Sequence, residues 1–187
     1  MRGGFRHVTG ITDLSHRIIG QLFPEGGSLA MDLTLGNGHD ADFLSGMFDR
    51  VIAVDIQKSC IDSYDAPQNV QKICMDHAEV ESLNEVPSLI VYNLGYKPGG
   101  DKTVRTSSES TLVSLQQATR IIEPGGVILI GIYWKHDGGQ EAKNVLDYCS
   151  SLPKEEFGVL DHTFINRGNQ PPSLIIVERK RLEGNGN

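Results

Sequence analysis

The chain has 187 residues, 39% of them apolar, with 17 Lys and Arg against 24 Asp and Glu for a net charge of −7. That composition fits a single globular domain over 1–187, loose at 1–10 and 181–187, that buries its own core without staples. It argues against a general nucleic-acid binder, which needs cations to displace phosphate counterions, but it leaves room for a local cationic rim. The three cysteines, Cys60, Cys74 and Cys149, are far apart and odd in number, so neither a disulfide framework nor a zinc site is suggested, and a reducing cytoplasm is the expected compartment. The N-terminus lacks the apolar run of a signal peptide, and the longest apolar stretch, 127–134, is too short to span a bilayer.

Residues 13–23 have helical spacing, with Leu14, Ile18, Ile19 and Leu22 on one face; Thr12 or Asp13 is the expected cap and Pro24 the stop. Strands and helices then alternate. The predicted strands are 28–34, 51–55, 70–75, 88–93 and 127–133. The predicted helices are 39–48, 57–64, 78–83 and 106–122, the last stopped by Glu123-Pro-Gly-Gly126. A further helix at 139–150 precedes two late strands at 157–164 and 173–179, joined by the loop 165–172. Such alternation predicts a doubly wound α/β domain with helices on both faces of a mostly parallel sheet. The closing hairpin suggests seven strands, with an antiparallel strand near one edge. In such sheets ligands sit beyond the C-terminal ends of the strands, at the switch point.

The strand ends carry the candidate chemistry. After strand one runs Asp32-Leu-Thr-Leu-Gly-Asn-Gly-His-Asp40, in which Gly36 and Gly38 would let a cofactor approach the backbone. The spacing also fits a dinucleotide fingerprint or a ligand-free turn. Asp40, however, falls in the first turn of the following helix, where it would repel a pyrophosphate and suit the ammonium or sulfonium of S-adenosylmethionine; Asp32 adds a second carboxylate. Asp55 ends strand two, where an acid accepts from ribose hydroxyls or caps the next helix. Asp76-His77 ends strand three, again as a cofactor contact or a cap. Strand four ends in Asn93-Leu94-Gly95-Tyr96, which is similar to the Asp/Asn-Pro-Pro-Tyr signature of amino-group methyltransferases, with both prolines replaced. An Asn oxygen and a backbone carbonyl there can accept N–H bonds and aim an amine lone pair at a methyl carbon. The polar loop 97–103 and Tyr133-Trp-Lys-His136 follow strands four and five. His136 is a candidate base or substrate contact, with a structural role as the commoner alternative. Lys97, Lys102, Arg105, Lys135 and Arg167 all fall in loops expected on one edge of the sheet, as a cationic rim or as scattered surface charges. There is no GxSxG elbow, P-loop or HExxH motif.

Together DLTLGNGHDADFL from Asp32, VDIQ from Val54, NLGYKPGGDK from Asn93, HDGGQEA from His136 and FINRGNQPPSLIIVE from Phe164 resemble a bacterial family described as rRNA methylases. The characterised activity of that family is N-methylation of 5-aminomethyl-2-thiouridine at the tRNA wobble position. The likeness spans about residues 29–180 in family order, and its most specific block is NLGYKPGGDK. It implies a class I methyltransferase (Rossmann-like) fold, S-adenosylmethionine as donor and 5-methylaminomethyl-2-thiouridine as product. Asn37, Gly38, Asp40, Asp55, Gln57, Asp76, His77 and Asn93 would line the cofactor, with Asp32, Gly36, Leu94 and Gly95 beside them. Asn93, Tyr96, Asp101 and His136 would carry catalysis. Tyr96, Gly99, Gly100, Lys102, Tyr133, Asn169, Gln170 and Pro171 would face the tRNA, which carries the aminomethylated uridine. Leu35 stands where the family favours Met or Ala, and Trp134-Lys135 replaces its usual Pro-Gly. No membrane partner is expected; a homodimer is expected by analogy with small tRNA methyltransferases. The alternatives are methylation of rRNA, protein or a small amine, a cofactor- or RNA-binding protein without turnover and, least favoured, a nicotinamide dehydrogenase.

Overall fold

The structure is a computed structural model that describes residues 8–94, 108–134, 137–168 and 170–182. Helix α1 (Ile11–Leu22) leads into β1 (Gly27–Asp32), α2 (His39–Ser45), β2 (Phe48–Asp55), α3 (Lys58–Ser63) and β3 (Val70–Cys74). A 3₁₀ helix (His77–Leu83) precedes β4 (Leu89–Leu94), α4 (Ser108–Ile121) and β5 (Val127–Ile132). A single 3₁₀ turn (Asp137–Gly139), α5 (Gln140–Ser151), β6 (Phe157–Thr163) and β7 (Ser173–Arg179) complete the order. All the strands form one seven-stranded sheet in the order β3-β2-β1-β4-β5-β7-β6. The pairs from β3 through β5 are parallel, while β7 runs antiparallel to both β5 and β6. This is the doubly wound class I arrangement with the antiparallel strand expected near the edge.

Each central strand is apolar on both faces because helices cover both. In β4, Ile90, Tyr92 and Leu94 face one core with Leu115, Ile122 and Val145, while Leu89 and Val91 face the other with Ile11, Ile19 and Leu44. All of β5 is buried. At the edges burial lapses: β3 is half-exposed and most of β6 is exposed, since each has a neighbour on one side only. No helix among the described residues is long and apolar enough to cross a membrane.

Several local expectations shift. α1 begins two residues earlier than its apolar stripe suggests, with Gly10 rather than Thr12 or Asp13 at its N-cap and no side-chain cap bond. Burial of Ile11 against the sheet sets that start. α2 stops at Ser45 before Gly46, which frees Phe48 to open β2 opposite Gly27. The 77–83 segment is a 3₁₀ helix, begun by Asp76 at its N-cap and ended at Asn84, which takes a left-handed conformation.

Candidate active site

The strand order reverses between β1 and β4, which run parallel, so the C-terminal ends of these two strands lie at the same edge of the sheet. Asp32 closes β1 with no exposed surface; Oδ1 accepts the Thr34 N–H at 3.0 Å and Oδ2 has no hydrogen-bond partner. Burial, and next the Asp40 charge, hold its carboxyl well above the usual carboxylate range against the pull of the Thr34 and Ala41 N–H groups.

The loop that follows turns on Gly36 (φ 52°) and Gly38 (φ 82°), both left-handed. Gly38 meets a second demand: a Cβ there would lie 2.3 Å from the Tyr64 ring. The Tyr64 phenol, held in place by that packing, donates to Asp42 in α2 at 2.7 Å. Burial, then this bond, push the phenol well above its ordinary range. Asp55, at the end of β2, ties the loop down from the other side. Its two oxygens accept the N–H groups of Gly36 (2.9 Å) and Gln57 (2.8 Å). It does not cap α3; Gln57 occupies that N-cap, and Asp55 instead makes a turn two residues earlier. Each of its oxygens keeps a second lone pair for a hydroxyl donor. Asn37 is exposed at the tip of the loop.

At the end of β3, Asp76 caps the 3₁₀ helix by accepting the Ala78 N–H at 2.9 Å. His77 is only 4% exposed and neither ring nitrogen has a partner, although the ring stands edge-on to Tyr92. Burial lowers its pKa and keeps the imidazole neutral, so one nitrogen donates and the other accepts. Unpartnered buried nitrogens in native proteins call for a ligand or a water.

The end of β4 is assembled differently. The Asn93 N–H, near the end of β4, donates to Thr34 Oγ1 at 2.7 Å and fixes the backbone. Its Nδ2 lies 3.5 Å from both Thr12 Oγ1 on α1 and Asp40 Oδ2 on α2. Its Oδ1 passes over Gly131 of β5, 3.2 Å from where a Cβ would stand. Thr12, Asp40, Asn93 and Gly131 line one small cleft between α1 and the sheet. Asp40 is 7% exposed, and its other oxygen receives His16 Nε2 at 2.7 Å. Tyr133, half-buried beyond β5, has its phenol pushed up by burial and then by the Asp40 charge. Leu94 is buried in the core.

The structure thus gathers Asp32, Gly36, Gly38, Asp40, Asp55, Gln57, Asp76, His77, Asn93 and Tyr133 along one edge of the sheet. Gln170 is exposed with φ 53° and Pro171 is half-buried in the β6–β7 loop. In that loop Arg167 stacks over Phe164 at 3.8 Å and donates to the Val8 carbonyl at 2.8 Å. Gly95, Tyr96, Lys97, Gly99, Gly100, Asp101, Lys102, Arg105, Lys135, His136 and Asn169 lie outside the described residues. Sequence reasoning missed Thr12, His16, Thr34, Tyr64 and Gly131. Of these Gly131 carried a signal, since a glycine inside an apolar strand marks a close approach.

The residues fit an S-adenosyl group. A glycine loop packs closely on Tyr64, carboxylates sit at successive strand ends, and an imidazole has two nitrogens without partners. The family described as "Putative rRNA methylase" matches over residues 51–178. An Arabidopsis thaliana relative named "tRNA (mnm(5)s(2)U34)-methyltransferase, chloroplastic" is 31% identical over 191 residues, covering 90% of this chain and 69% of its own length. Two solved structures are each 29% identical. One, described as an rRNA methylase from Clostridium thermocellum, has a TM-score of 0.85 and covers 92% of this chain and 98% of that one. The other, a Streptococcus mutans protein described as a methyltransferase and solved in complex with SAH, has a TM-score of 0.81 and covers 92% and 99%. Family match, relatives and site geometry agree, and the chain belongs to the "Putative rRNA methylase" family, as an S-adenosylmethionine-dependent methyltransferase of class I fold.

Proposed function

We propose that the chain methylates the aminomethyl nitrogen of 5-aminomethyl-2-thiouridine at the wobble position of tRNA, giving 5-methylaminomethyl-2-thiouridine. Support comes from the name of the Arabidopsis relative, which specifies a modified U34 of tRNA. The observation that carries the reading to an amine is Asn93: a carboxamide at the end of β4, oriented by Thr12 and Asp40 and backed by Gly131.

In this reading the Gly36–Gly38 loop, Asp32 and Asp40 hold the amino-acid end of the cofactor, Asp55 and Gln57 its ribose, and Asp76 and His77 its base. Asn37, the Leu94 backbone and Gly95 would complete that wall. Bound S-adenosylmethionine supplies an electrophilic methyl carbon. The substrate amine must first lose a proton, because an ammonium has no lone pair. Asp101, His136 or a water is the proposed acceptor. The Asn93 oxygen and a neighbouring backbone carbonyl then take the remaining N–H bonds and aim the lone pair, so rate comes chiefly from positioning. Tyr96, Gly99, Gly100, Lys102, Tyr133 and the 169–171 loop would receive the uridine and its strand. The proposal includes a homodimer acting in the cytoplasm, where a second protomer enlarges the surface offered to tRNA.

The test is methyl transfer from labelled S-adenosylmethionine to tRNA carrying 5-aminomethyl-2-thiouridine, read by nucleoside mass spectrometry with Asn93→Ala beside the native protein. Appearance of the methylaminomethyl nucleoside, lost in the variant, supports both reaction and site. Cofactor binding without product would reject this acceptor and direct the search to rRNA, protein and small amines.

A further inference from the structure

Thr12 and His16 are one turn apart on α1, so both reach the same side of the cleft. The His16 ring lies flat on Phe43 of α2, with centroids 3.9 Å apart and planes within 3°. That stacking aims Nε2 at Asp40 Oδ1, 2.7 Å away. A carboxylate only accepts, so the ring nitrogen facing it carries the hydrogen. Among the described residues His16 is the one basic group within ion-pair distance of Asp40.

The second Asp40 oxygen and the Thr12 hydroxyl flank one end of the Asn93 amide. Since the carboxylate cannot donate, that end must be the NH2 group, and the oxygen must point the other way, over Gly131. The orientation of the amide is therefore decided by Asp40, and the orientation of Asp40 by His16.

We propose that His16 is a positioning residue that, through Asp40, holds the Asn93 carboxamide with its oxygen presented to the acceptor amine. The inference rests on the reading of Asn93 as the group that aligns the amine. It assigns a role to α1, which the glycine loop and the strand ends do not require. Without the Nε2 donor the Asp40 carboxylate is free to turn, and the amide loses the group that distinguishes its two ends.

Two variants separate this role from packing. His16→Phe keeps a flat ring on Phe43 and removes the donor; His16→Gln restores an N–H donor without the ring. The side-chain NH2 pair of Asn93 is observed in a ¹H–¹⁵N spectrum, identified by its disappearance in Asn93→Ala. Methyl transfer to the aminomethylated tRNA is measured alongside. His16→Phe should move the NH2 pair and lower kcat by about 10- to 100-fold while KM for tRNA stays within about twofold. His16→Gln should restore both readouts, and His16→Phe should cost nothing further in the Asn93→Ala background. An unmoved NH2 pair in His16→Phe, or full additivity of the two losses, would overturn the proposal. If the native protein does not methylate this tRNA, the acceptor reading fails on its own, and the NH2 pair still decides whether His16 orients Asn93. Should His16→Phe not fold, Asp40→Asn must shift the same pair, and failure to do so has the same consequence.

Discussion

The two halves of the site are held by different means. On the β1–β3 side, carboxylates accept backbone N–H groups, mostly two residues ahead: Asp32 from Thr34, Asp55 from Gln57, Asp76 from Ala78. On the β4–β5 side, Asn93 is held by side chains from three distant segments, at Thr12, Thr34 and Asp40, and Asp40 is held by His16. The first half repeats one local device at each strand end and suits a constant ligand, the cofactor. The second depends on helices α1 and α2 arriving at the right place, and in the proposed reading it aligns the acceptor amine.

Variants can break this contrast. The largest effect is expected for Asn93→Ala, which should lower methyl transfer by about 100-fold or more while SAH affinity, measured by calorimetry, changes little. A comparable loss of SAH binding would mean that the two halves are not separable. Next is Gly38→Ala. Its Cβ would enter the Tyr64 ring and its backbone would sit at φ 82°, so a loss of about 2–4 kcal/mol in urea unfolding is expected, with weaker SAH binding. An unchanged midpoint would show that the loop yields easily. Asp55→Asn keeps the shape but turns an NH2 toward one of two backbone N–H donors, and should cost about 1–3 kcal/mol of stability and weaken SAH more than tRNA binding.

The smallest effect is a pH dependence from His77. Folding depresses its pKa through burial, so below the ordinary value of 6.5 the unfolded chain binds more protons than the folded one. Its contribution to stability is complete above 6.5 and is lost as the pH falls through the depressed folded value. Urea midpoints measured from pH 8 down to 5 should decline less in His77→Phe than in the native chain. Parallel curves would show that the buried ring is not the group titrating.

Much of the β1–β3 side was legible because its determinants are local. Glycines after a strand, an acid at a strand end and the strand–helix alternation all lie within a few residues of the groups they serve; that alternation implied a mostly parallel sheet, while the strand order is set by tertiary pairing. The correction at Asp55 is of the same kind: its turn to Gln57 is local, but its bond to Gly36 joins residues 19 positions apart and appears only once β1 and β2 pair.

The chain by itself determined the fold class, the strand ends and the short motif that made Asn93 a candidate, because periodicity, turn chemistry and short motifs are written in neighbouring residues. Tertiary structure alone decided which way the Asn93 amide points. That choice depends on Asp40, 53 residues away, on His16, 24 residues before Asp40, and on a glycine in β5. Nothing in the spacing of a lone histidine on an amphipathic helix says what it will face; the packing of α1 against α2 and the sheet supplies that answer.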